Sequence, residues 1–122
     1  MQILNHAFRL YIQPDQLNPT IAFYEQLQST ACERRLSFDD LGIEVAIVGR
    51  FILLAGSDQS LAPVRDAQAV LMVDGLDDVA SWLQEQGGEL LHEPRSAPGG
   101  RNFTARHPDG LVVEYYEPAT QQ

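Results

Sequence analysis

Hydrophobic and polar positions alternate over residues 3–12, and His6, Phe8, Leu10 and Ile12 fall on one side of the extended segment they predict. The period then changes. Pro14 and Asn18-Pro19-Thr20 end the strand and predict a helix beginning at about residue 19. Ile21, Phe23, Tyr24 and Leu27-Gln28 supply its apolar side. Three short strands follow, over Arg34–Asp39, Ile43–Val48 and Phe51–Ala55, with Gly42 and Gly49-Arg50 as the turns between them.

A loop at Gly56–Pro63 separates this half from a second one with the same grammar. Gln68–Asp74 reads as a strand. Asp77–Gln86 reads as a helix with Val79, Trp82 and Leu83 on one face, ended by Gly87-Gly88. Glu89–His92, Arg101–His107 and Leu111–Tyr116 are three further strands. Pro108-Asp109-Gly110 makes the last two a hairpin, because Pro fixes φ and Gly accepts a positive one. The element order is β-α-β-β-β twice, an α+β pattern with one module over about 1–60 and the other over about 64–122 of a single domain. Glu93–Gly100 reads as a loop, suited to act as a lid or substrate contact.

Four stretches carry a family likeness: Asn5-His6, Ala22-Phe23-Tyr24-Glu25, Val73-Asp74-Gly75-Leu76-Asp77, and His107-Pro108-Asp109-Gly110-Leu111-Val112-Val113-Glu114. In this order they resemble the vicinal oxygen chelate superfamily, which includes glyoxalase I, extradiol dioxygenases and bleomycin-resistance proteins. The resemblance implies a curved mixed sheet around a groove, with helices on the convex side, and commonly a homodimer. It also implies groove-facing ligand positions at His6, Leu54, Gln68 and Glu114. His107 stands where the hairpin motif usually has Asp, and a turn-stabilising or solvent-facing role is expected of it rather than catalysis.

The implied donors are of mixed quality. His6 and Glu114 are the right types for a divalent ion, Gln68 offers a neutral amide, and Leu54 offers nothing. Such a set would hold Mn²⁺, Fe²⁺, Ni²⁺ or Zn²⁺ loosely, to polarise two adjacent substrate oxygens while Glu114 shuttles a proton. Strand alternation adds Phe8, Asn102, Thr104 and Tyr116 as a mixed apolar and polar wall for a small organic ligand. Arg9 falls on the face this register gives to helix packing.

The charge balance of 8 basic against 17 acidic residues, net −9, excludes nucleic acid and anionic membrane as natural partners. It also keeps open a second class, a metal-free drug-binding protein of the bleomycin-resistance type, because an acidic groove attracts cations. Cys32 is the single cysteine, so no internal disulfide is possible. With no apolar run near the ~20 residues that span a bilayer and no signal-peptide pattern, the expected setting is cytoplasmic.

Overall fold

The computed structural model describes residues 1–119. The chain forms two compact units, Ala7–Asp66 and a second one made of Met1–His6 with the chain from Ala67 onwards. Both are α+β, and both join a first strand, a helix and further strands into a mixed sheet. The first strand, β1 (Gln2–Ile12), begins in one unit and ends in the other.

In the Ala7–Asp66 unit, β1 leads through a 3-10 turn (Pro14–Gln16) into α1 (Leu17–Gln28), then β2 (Arg34–Phe38), β3 (Ile43–Val48), β4 (Phe51–Ala55) and α2 (Asp58–Leu61). The sheet order is β2-β3-β4-β1. The β4–β1 pair is parallel and the others antiparallel. A parallel pair needs a crossover, and α1 lies within it. Leu17 and Ile21 of α1 pack on Ala46, Val48, Leu53 and Ala55, with Leu10, Ile12, Phe51 and Tyr24 beside them. Gln28 ties the end of α1 to the sheet: its Nε2 donates to Val48 O at 2.9 Å and its Oε1 accepts from Arg50 N at 2.8 Å.

The other unit continues with β5 (Ala69–Asp74), α3 (Leu76–Glu85), β6 (Glu89–Leu90), β7 (Arg95–Ala97), β8 (Gly100–Arg106) and β9 (Val112–Pro118). β5 pairs β9 in parallel, β9 pairs β8 antiparallel, and β8 carries both β6 and β7. Gln2 N donates to Asp74 Oδ1 at 2.8 Å, which ties the start of β1 to the end of β5. Leu76, Val79, Ala80 and Leu83 of α3 cover Val73, Phe103, Ala105, Val113 and Tyr115. Phe103 is fully buried and stacks on Tyr115 at 5.0 Å between centroids. Burying one such side chain contributes about 1.5–3 kcal/mol.

Several local expectations change. α1 starts at Leu17, not 19, because the missing N–H of Pro19 costs nothing in a first turn. Phe23 and Leu27 are exposed, while Leu17 takes the buried place. On α3 the buried partner is the small Ala80, whereas Trp82 stays 45% exposed. The Gly56–Pro63 segment holds α2, whose N-cap Ser57 accepts from Ser60 N. The predicted strand Glu89–His92 shrinks to two residues, and the presumed loop after it contains β7.

Phe8 is a correction of facing. It stacks on Phe51 at 5.5 Å, and Phe51 stacks on Tyr24 of α1 at 4.2 Å, so Phe8 lies on the helix-covered side of its unit. The opposite face of β1 carries Tyr11, grouped with Ile43, Leu54 and Leu61. Arg9 sits there too, its guanidinium 5.5 Å from the Tyr11 ring centroid. Its charge therefore meets no conflict with α1 packing.

Candidate functional site

Glu114 lies at the middle of β9, directly between Val70 on β5 and Thr104 on β8. The next row is Met72, Tyr116, Asn102 and, at the sheet edge, Arg95 on β7. Residues paired across strands share a face, and the intervening positions Phe103, Ala105, Val113 and Tyr115 turn toward α3. Glu114, Thr104, Asn102, Tyr116 and Arg95 therefore occupy the face away from α3. The pleat answers why a carboxylate sits in a strand of Val and Tyr: Glu114 is on the side away from α3 and the cluster it covers.

The polar groups on this face are held. Asn102 Nδ2 donates to Glu114 Oε2 at 2.9 Å, fixing the carboxylate. Asn102 Oδ1 is buried and accepts no hydrogen bond. An unsatisfied buried acceptor costs about 1–3 kcal/mol. Tyr116 donates its hydroxyl to Pro98 O at 2.8 Å, drawing the β7–β8 turn over this face. Gly100 makes that turn possible, since a Cβ there would stand 2.1 Å from Glu117 O.

The α3 side is built differently. The Glu117 carboxylate accepts from Gly75 N at 2.8 Å and Leu76 N at 3.4 Å, satisfying donors left open at the helix N-terminus. Arg101 donates twice to Asp77, each bond 3.0 Å. That contact holds the Asp77 carboxyl below its ordinary range and the Arg101 guanidinium above its own. At the hairpin, His107 Nε2 and the Tyr115 hydroxyl are hydrogen-bonded, and the turn closes through His107 N to Leu111 O at 2.8 Å. Burial pushes the Tyr115 phenol above its usual 10.0.

The structure places the expected metal donors unevenly. His6, Gln68 and Glu114 belong to one compact unit. His6 and Gln68 are exposed and Glu114 is half-buried. Gln68 precedes β5, with its backbone N–H on Val112 O at 3.0 Å. The β5 residue beside Glu114 is Val70, and Gln68 stands two residues off, roughly 7 Å along the strand. Among the described residues no three His, Cys, Asp or Glu side chains group to hold an ion. One imidazole, one neutral amide and a carboxylate already bonded to Asn102 do not fit a tightly held divalent metal.

Sequence reasoning missed Arg95 and the Pro98 carbonyl, because a strand of three residues between Pro94 and Pro98 gives no readable alternation. The cross-strand register is the only signal that assigns Arg95 to this face.

No protein-family model and no curated protein matches the sequence. Solved structures do match. Methylmalonyl-CoA epimerase from Mycobacterium tuberculosis aligns at a TM-score of 0.75 and 20% identity, over 97% of this chain and 90% of that one. A variant of Streptomyces coelicolor methylmalonyl-CoA epimerase in complex with 2-nitronate-propionyl-CoA aligns at 0.71 and 16%, over 98% of this chain and 100% of that one. The chain thus has the fold of these epimerases, built of βαβββ units as in the glyoxalase-like, vicinal oxygen chelate proteins. An uncharacterised protein from Methanosarcina mazei aligns at 0.88 and 40% identity, over 100% of this chain and 98% of that one. This chain belongs to the same family as that protein. Among the described residues no helix is long and apolar enough to cross a membrane.

Proposed function

We propose that this protein is a small-molecule enzyme of glyoxalase-like fold. Its substrate lies on the β8–β9 face, and Glu114 takes and returns a proton. One observation carries the reading: the Glu114 carboxylate is fixed by Asn102 at 2.9 Å, while the Oδ1 of that same Asn102 is buried and unmatched. A carboxylate held in one orientation is suited to general base work. The open acceptor beside it selects a ligand that brings a donor. Thr104 and Tyr116 flank the pair and supply hydroxyl groups for orientation.

The chemistry of the similar structures supports a substrate class. Epimerisation needs a proton to leave and return at one carbon, and a nitronate imitates the enolate formed in between. A thioester with an acidic α-proton is therefore the proposed substrate type. The test is exchange of the α-protons of propionyl-CoA in D₂O, followed by proton NMR, with wild type and Glu114→Gln. Wild type is expected to exchange them, and the variant to be about 100-fold slower or more, the span of a positioned base. Exchange that is equal in both removes Glu114 from the role.

Two other outcomes reassign the site. Stoichiometric Mn²⁺, Ni²⁺ or Zn²⁺ by isothermal titration, lost in His6→Ala, would give His6, Gln68 and Glu114 the metal-holding role. Binding of a cationic aromatic drug without any exchange would favour the non-catalytic binding protein, which the net charge of −9 suits.

A further inference from the structure

We propose that Arg95 is the anion-binding residue of this site and that the ligand is an organic oxyanion, a carboxylate or a phosphate. The inference rests on the reading of the Glu114 face as the ligand site and names what that ligand carries. All eight cationic side chains of the protein are arginines, and Arg95, Arg101 and Arg106 belong to the same unit. Arg101 points to α3 and is neutralised by Asp77 at 3.0 Å. Arg106 is neutralised by its cross-strand partner Glu89, also at 3.0 Å. Arg95 is exposed and, among the described residues, makes no ion pair and no side-chain hydrogen bond. Of the three arginines in this unit, Arg95 is thus the one whose charge meets no acidic partner among the described residues.

Its position gives the open charge a use. Arg95 is in register with Asn102, which is in register with Tyr116. Cross-strand neighbours stand about 4.5–5.5 Å apart at Cβ. One row of the sheet therefore sets a planar, bidentate donor next to the buried, unmatched Asn102 Oδ1. A ligand with an oxyanion on Arg95 and a hydrogen-bond donor on Asn102 satisfies both, and its next atoms lie against Glu114, which Asn102 holds at 2.9 Å. The turn after β7 is tied down by Tyr116 on Pro98 O at 2.8 Å, so Arg95 is carried by a fixed hairpin. Neither Asp nor Glu stands in that row to compete for it.

The test is an NMR chemical-shift titration of wild type, Arg95→Gln and Arg34→Gln with succinate, inorganic phosphate and the neutral succinamide. Arg34 is an exposed arginine of the other unit and controls for the change in net charge. The Asn102 side-chain amide and the Tyr116 amide are the reporters. At least one of the two anions is expected to move these signals saturably, and succinamide to leave them in place. Affinity should fall about tenfold or more in Arg95→Gln, the loss expected for a charge-assisted hydrogen bond, and stay unchanged in Arg34→Gln. A preference for succinate assigns a carboxylate end to the ligand, and a preference for phosphate a phosphate ester. Equal affinity in wild type and Arg95→Gln, or shifts that spare Asn102 and Tyr116, overturns the assignment. If that happens while α-proton exchange still depends on Glu114, only the anion role falls. If exchange is absent yet anion binding depends on Arg95, the enzyme reading falls and the anion site stands.

Discussion

Replacing Gly100 with alanine tests whether the β7–β8 hairpin is held as closely to β9 as its geometry states. A methyl group there would lie 2.1 Å from Glu117 O and 3.0 Å from both Glu117 C and Pro118 Cα. All three are backbone atoms, so no side chain can rotate away. Gly100 does not have a positive φ, and the whole cost is therefore steric. Relief requires β8 and β9 to part at the Gly100–Pro118 pair, which also strains the Ala119 N to Gly99 O bond of 2.8 Å. Overpacking costs about 1–3 kcal/mol, and one weakened backbone bond adds about 0.5–1.5 kcal/mol. The expected loss is about 2–4 kcal/mol, or roughly 8–16 °C in Tm for a chain of this size. Gly87→Ala is the comparison: its φ of 91° strains alanine by about 1–2 kcal/mol, while an added Cβ there meets nothing within 4 Å. Thermal unfolding by circular dichroism should rank Gly100→Ala below Gly87→Ala. The reverse order, or a Tm within 2 °C or so of wild type for Gly100→Ala, would refute the close approach of the strands.

Glu117→Ala removes the acceptor for Gly75 N and Leu76 N and should cost about 1–2 kcal/mol by urea unfolding, with Glu117→Gln in between because it keeps an oxygen but not the charge. Tyr115 gives a pH signature: its folded pKa is raised, so above pH 10.0 the unfolded chain loses the proton first and stability falls as pH rises toward the folded value. That alkaline decline should shrink in Tyr115→Phe, and an unchanged decline would locate the effect elsewhere.

Much of this architecture was legible in the letters, for identifiable reasons. The switch from period 2 to period 3.6 and back marks every long element, and Pro108-Asp109-Gly110 fixes the hairpin that puts Glu114 opposite Thr104. Facing was harder. Alternation divides β1 into two sides but does not say which side a helix covers, and Phe8, Leu10 and Ile12 pair with α1 through the Phe51–Tyr24 stack. Large apolar letters also misled on the helices. Ala80 is buried because close packing on the sheet wants a small residue, and Trp82 on the same helix is not. At the site, the hydrogen bond from Asn102 to Glu114 and the position of Arg95 depend on cross-strand register, which a single sequence does not print.

β1 has a consequence for how the chain is made. Its first six residues belong with the unit that starts at Ala67, so no single cut releases either unit whole. The Ala7–Asp66 unit is in effect an insertion in the other, and it can be complete on the ribosome while Met1–His6 still waits for its partners. At about 5–20 residues per second, that wait spans seconds. Through it Ile3 and Leu4, which remain 64% and 55% exposed even in the finished fold, are held in solvent. Residues made before the Ala7–Asp66 unit are thus among the last to find their place, and a chaperone that recognises short exposed apolar stretches would meet the chain there.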